Sequence, residues 1–185
     1  VSEGGTVHVA DGTYTLATTL TVAKPVTVTG ESRAGVIFDA SDRTGTAYGL
    51  LVRANDVTLE HFTLIPAAYE GSGYPIHVSG TPGILETVTL CAIEIAGSWR
   101  TPFDVHGTDG VLLEGLIARN AVAGFGINLT SCANVTVVGC MTEGNAWGGV
   151  GIHQSNTIAN NTDGVVIDLA LNEFGEVQAV SVQDV

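Results

Sequence analysis

Residues 102–130 read PFDVHGTDGVLLEGLIARNAVAGFGINLT. Phe103 and Val105 alternate with Asp104 and His106, the period of a β-strand. A Gly-Thr-Asp-Gly corner follows at residues 107–110. Val111 and Leu113 then alternate, two residues interrupt, Leu116 and Ala118 alternate, and the chain turns at Arg119-Asn120. At Ile127 and Leu129 the first strand begins again. The stretch predicts one coil of an all-β fold: a right-handed, single-stranded parallel β-helix with three short strands per coil.

The same apolar pairs recur on both sides. First-strand pairs are Leu50/Val52, Ile76/Val78, Phe103/Val105, Ile127/Leu129 and Val150/Ile152, at steps of 26, 27, 24 and 23 residues. Second-strand pairs are Val57/Leu59, Val88/Leu90, Val111/Leu113 and Val135/Val137; third-strand pairs are Phe62/Leu64, Ile93/Ile95, Leu116/Ala118 and Cys140/Thr142. A helical repeat of this length would show a 3.6-residue stripe, and none is present. Each coil buries its pairs on its neighbours, and the strands pair in parallel without crossover helices. Asn120 and Asn145 fall at matching turns, with Asn160 or Asn161 a third candidate, and predict a ladder of amides bonded along the axis. After Ile152 the count fails, and no register is predicted past Gln154.

The chain has 185 residues, enough for one domain spanning 1–185 with a real core. With no initiator Met it reads as a piece of a longer, secreted or cell-surface protein, a monomer or one part of a multidomain chain. No apolar run approaches the roughly 18 residues that span a bilayer. One Lys and five Arg stand against 19 acids, a net charge of −13. That balance argues against nucleic-acid or anionic-membrane partners. It suits bound calcium, a high-salt source or plain solubility, and no cofactor is otherwise indicated. No spacing resembles a structural zinc site, and no metal ligand set is predicted. Three cysteines make no disulfide framework; Cys140 falls at a core position and Cys91 at an outward one.

The entry coils run GGTVHVADGTY over residues 4–14 and KPVTVTG over residues 24–30. Val7/Val9, Leu20/Val22, Val26/Val28 and Val36/Phe38 alternate, and Gly12 and Gly30 stand where the chain must turn sharply. These two stretches resemble the opening of the pectate-lyase-like right-handed β-helix superfamily. The resemblance covers nearly the whole chain in fold and residues 4–30 in motif. It implies action on acidic polysaccharides, as in pectate lyases, alginate lyases, polygalacturonases and mannuronan C5-epimerases. The epimerases carry Asp-Pro-His on an outward strand, and Asp104-Val105-His106 is similar, with Val in place of Pro. The chain lacks the Lys/Arg clusters by which the lyases neutralise uronates. A polygalacturonase-like hydrolase needs neighbouring outward Asp residues, and only Asp104 stands on this face.

Adjacent coils lie about 4.8 Å apart, so the repeat count maps one surface. The outward position inside each first-strand pair reads Leu51, His77, Asp104, Asn128, Gly151, and the one after it reads Arg53, Ser79, His106, Thr130, His153. A carboxylate beside imidazoles suits proton abstraction from a sugar carbon. The resemblance makes Asp104 and His106 acid and base, with His153 assisting. Arg53, His77 and Asn128 would bind uronate or hydroxyl groups. Excursions at Pro66 to Pro75, with Tyr69 and Tyr74, and at Gly97 to Pro102, with Trp99 and Arg100, precede first strands. They are expected to overhang the same sheet edge, with Trp99, Tyr69 and Tyr74 as groove walls for a glycan. The blander reading is an ordinary solvated sheet on a scaffold or glycan-binding segment of a surface or adhesin protein. As an outward residue, Asp104 is expected to tolerate Asn at well under about 1 kcal/mol.

Overall fold

The computed structural model describes residues 4–45, 48–80, 83–153, 163–169, 176 and 178–183. All regular structure among them is β-strand, with parallel pairing. The molecule is a β-solenoid of about six turns with a spacing of about 24 residues. No helix among the described residues is long and apolar enough to cross a membrane.

One face is a seven-stranded sheet: Leu20–Val22, Leu50–Val52, Ile76–Ser79, Phe103–His106, Phe125–Thr130, Gly148–His153 and Val180–Gln183. Its register runs Leu50, Ile76, Phe103, Ile127, Val150, Val180, one partner per coil. The apolar pairs expected inward are inward on all three faces. Ile76, Val78, Phe103, Val105, Ile127 and Leu129 have no exposed surface. Period-2 alternation produces this directly, since one residue in two faces the lumen and must shed water.

The second and third faces share one ten-stranded sheet. In three coils the two short strands expected there run on as one long bent strand: Val57–Ile65, Leu85–Ala96 and Ala133–Glu143. The bend is a single left-handed residue per coil, at His61, Ala92, Gly115 and Gly139, with φ of 60°, 50°, 59° and 60°. One such residue turns the chain while the flanking residues keep their ladder partners, Glu60 with Cys91 and Phe62 with Ile93. Three of the corners that open the second face are also left-handed without Gly, at Asp56, Thr87 and Asn134. A left-handed L-residue costs roughly 1–2 kcal/mol, and the stacked neighbours hold it there.

Three expectations need correction. Gly30 is required by proximity more than by a turn: a Cβ there would lie 2.0 Å from the His61 carbonyl oxygen of the next coil. The Asn120/Asn145 ladder does not form. Arg119 pairs with Glu143, so Asn145 stands one position past the partner of Asn120. Asn120 is an exposed left-handed turn residue, whereas Asn145 is buried and bonds Ala118 O, Ala121 N and Gln178 Oε1. Asn160 and Asn161 lie outside the described residues. The stack also continues past Gln154, because Val165 pairs with Val135 and Val180 with Val150. The step from Val150 to Val180 is 30 residues, which hid the coil from a count tuned to shorter steps.

Cys140 and Cys132 are fully buried thiols, and burial pushes each up to about 11. Cys91 is half-buried on the outer surface, as expected.

Candidate active site on the first face

The parallel register stacks the outward residues of the first face in columns. Leu51, His77, Asp104, Asn128 and Gly151 are successive partners, and beside them run Ser79, His106, Thr130 and His153. His106 and His153 are thus two coil steps apart with Thr130 between them, about 10 Å by coil spacing. Arg53 follows Val52, the partner of Val78, and is exposed two coils from His106. It makes no hydrogen bond to Asp104 among the described residues, so the structure does not bring it into the cluster.

Asp104 is the centre of the arrangement. Its side chain points away from the lumen, yet it has no exposed surface. Three neighbours close over it. His77 Nδ1 lies 2.7 Å from Oδ2, His106 Nε2 lies 3.1 Å from Oδ1, and Asn128 Nδ2 donates to Oδ1 at 2.9 Å. Burial pushes the carboxyl up, but the hydrogen bonds and charges of His106 and His77 outweigh it and hold the group at about 2. An ionised carboxylate only accepts, so each imidazole presents an N–H to it. That fixes the neutral tautomers: His77 carries its proton on Nδ1 and His106 on Nε2. Nδ1 of His106 is left with a lone pair.

The sequence phase was right and its consequence was not. Outward here means covered, because aromatic side chains from neighbouring coils roof the column. His77 stacks on Tyr48 with centroids 4.7 Å apart and on Tyr74 at 5.4 Å, and meets His106 edge-on at 5.1 Å. Arg100 sits over the Tyr74 ring at 4.4 Å and donates from Nη2 to its hydroxyl at 2.8 Å. Burial, then the Asp104 charge, raises the Tyr74 phenol to about 12 against the pull of Arg100, so it stays protonated at neutral pH.

A groove of about 340 Å³ lies along these columns. Its lining includes Tyr74, Arg100, Asp104, Asn128, Trp147 and His153. The two excursions, through Tyr74 and Arg100, both line this groove, as expected. The aromatic wall at the far end is Trp147, not Trp99. Trp147 is 59% exposed and meets Phe125 edge-on at 5.8 Å, whereas Trp99 is half-buried and does not line the groove. Tyr69 is directed elsewhere, its hydroxyl donating to Gly45 O. Gly151 is needed at its place: a Cβ there would come 2.5 Å from the Phe125 ring. His106 is not among the residues that line the groove; it reaches it through its bond to Asp104, which is. Tyr48, Phe125 and Trp147 were missed from sequence. Their signal was position, two or three residues ahead of a first-strand pair, the slot that Tyr74 and Arg100 also occupy.

No protein-family model, curated protein or solved structure matches this chain. The site's chemistry therefore rests on its geometry. The site offers a fixed anion, an imidazole with a lone pair, a protonated phenol, one guanidinium and an exposed indole.

Burial also changes the stability expected of Asp104→Asn. The amide places an NH₂ group against one of the two imidazole N–H donors, so a buried donor loses its acceptor. The expected cost is about 1–3 kcal/mol, against the well under about 1 kcal/mol expected of a surface position. Chemical denaturation monitored by circular dichroism reads the difference. An unchanged midpoint would show that the carboxylate's three bonds do not contribute.

Proposed function

We propose that the chain acts on an acidic polysaccharide, abstracting a proton from the sugar carbon next to a carboxylate, in the manner of a lyase or C5-epimerase. The observation that carries this reading is the buried Asp104, which lines a glycan-sized groove and holds His106 Nε2–H. The bond orients the ring and stabilises the imidazolium that forms when Nδ1 takes a proton. Tyr74, protonated to about 12 and lining the groove, supplies the proton that the reaction returns to the sugar. Arg100 faces the sugar carboxylate, and Asn128 and His153 bond hydroxyls. His77 is a positioning residue: clamped between two tyrosines, it holds the second carboxylate oxygen. Trp147 offers a flat apolar face for a sugar ring.

This reading agrees with the pectate-lyase-like resemblance of residues 4–30 and with the parallel solenoid. It implies an extracellular or cell-surface protein. The test is a panel of uronate and neutral glycans, with products read as unsaturated ends, inverted C5 centres or shortened chains. Trp147→Ala is expected to weaken binding of the acidic oligosaccharide about 5–10-fold, the loss of about 1 kcal/mol of stacking, by titration calorimetry. Binding without any product would favour a non-catalytic glycan-binding scaffold. Unaltered binding in Trp147→Ala would remove the indole from the site.

A further inference from the structure

The cluster around Asp104 has a second use. His77, Asp104 and His106 each offer one ligand atom, and these atoms all lie within 4.8 Å of one another. His77 Nδ1 lies 2.7 Å from one carboxylate oxygen and His106 Nε2 3.1 Å from the other. Ligands around a tetrahedral zinc, with bonds of about 2.0–2.1 Å, stand roughly 3.3 Å apart. Each histidine nitrogen therefore already stands within about 0.6 Å of that ligand spacing from a carboxylate oxygen. We infer that His77, Asp104 and His106 form a binding site for one divalent transition ion of the zinc class, and that its occupation switches off the proton transfer proposed above.

The donor set chooses the ion. Two imidazole nitrogens and one carboxylate suit Zn²⁺ and its first-row neighbours, whereas calcium takes oxygen ligands. The calcium suggested by the acidic composition is thus not the ion for this cluster. The ligands are also held in advance. Tyr48 and Tyr74 fix the His77 ring, and Asn128 Nδ2 fixes the carboxylate. Asn128 Oδ1 is buried with no hydrogen-bond partner among the described residues. A water on the ion is a strong donor for it. Ligation requires the His106 lone pair on Nε2, so the ring's proton moves to Nδ1 and the base is lost. Occupied and reactive forms exclude each other.

A second group, Glu60, His61 and Cys91, sits on the outer bend of the second face. It is the weaker candidate. His61 is half-exposed, and burial followed by the charges of Glu114 and Glu60 pushes the Cys91 thiol up, away from the thiolate a metal takes.

The switching half rests on the glycan reading; the binding half does not, and is measured first with no glycan present. Metal-free full chain is titrated with Zn²⁺ alone by calorimetry, beside His77→Ala, His106→Ala and Cys91→Ser, with circular dichroism confirming that each variant is folded. The inference expects one equivalent bound by wild type and by Cys91→Ser, and affinity at least 10-fold lower in each histidine variant. Full binding in both histidine variants, or loss of binding in Cys91→Ser alone, would overturn it. So would no binding by wild type. Zn²⁺ is then added to an active glycan assay: turnover should fall in step with occupancy, and undiminished turnover at full occupancy would overturn the switch.

Discussion

Phe103→Ala is expected to destabilise the protein by about 3–5 kcal/mol. Phe103 has no exposed surface and is among the largest fully buried side chains. Its register partners are Ile76 below and Ile127 above, both also without exposed surface. Truncation removes the ring's burial and leaves a void that the stack closes poorly. Parallel ladders on both sides fix the backbone, so neighbouring coils cannot slide in to fill it. Loss of packed apolar volume and a residual cavity act together. Arg53→Ala, exposed on the same face, is the control and should move stability by no more than about 0.5 kcal/mol. Urea denaturation of the two variants reads the contrast. Equal midpoints would mean that the first face does not line the core.

His106→Ala is expected to lower kcat on the acidic glycan by about 10²-fold or more, the usual cost of losing a general base. Asp104 fixes Nε2–H, so Nδ1 carries the reactive lone pair; His77 is held by the same carboxylate, but His106 is the more exposed of the two rings. His77 is clamped by aromatic rings, and His153 lies two coils away against Phe125. His106 is partly exposed, so its removal leaves little void, and the fold should survive with a small loss from the bond to Asp104. His61→Ala, at the bend of the second face, should keep full activity. Wild-type kcat in His106→Ala would refute the assignment.

The fold was legible because its determinant is local. A pair such as Ile76/Val78 states its own phase, and repetition at 23 to 27 residues states the stacking. Coil-to-coil irregularity was harder: the 30-residue step before Val180 broke the count, and the one-position offset of Asn145 from Asn120 broke the ladder. In the site, the columns containing His77, Asp104, Asn128, His106 and His153 followed from register alone. The burial of Asp104 did not, since it depends on imidazoles from its own and the preceding coil and on the Tyr48 and Tyr74 rings stacked on His77. Trp99 and Trp147 both precede first strands, and nothing in their spacing says which side chain leans over the groove. Arg53 shared a column with His106 but lay two coils off, a distance that a column written as letters conceals.

The central claim is that the Asp104-held imidazole removes a proton from a uronate carbon. The direct measurement is incubation of the chain with uronate polymers in deuterated water, followed by mass spectrometry of the recovered sugars. Deuterium at C5, or an unsaturated chain end, should appear with wild type and be lost in His106→Ala. Neither signal on any uronate polymer, or the same signal in both proteins, would contradict the claim.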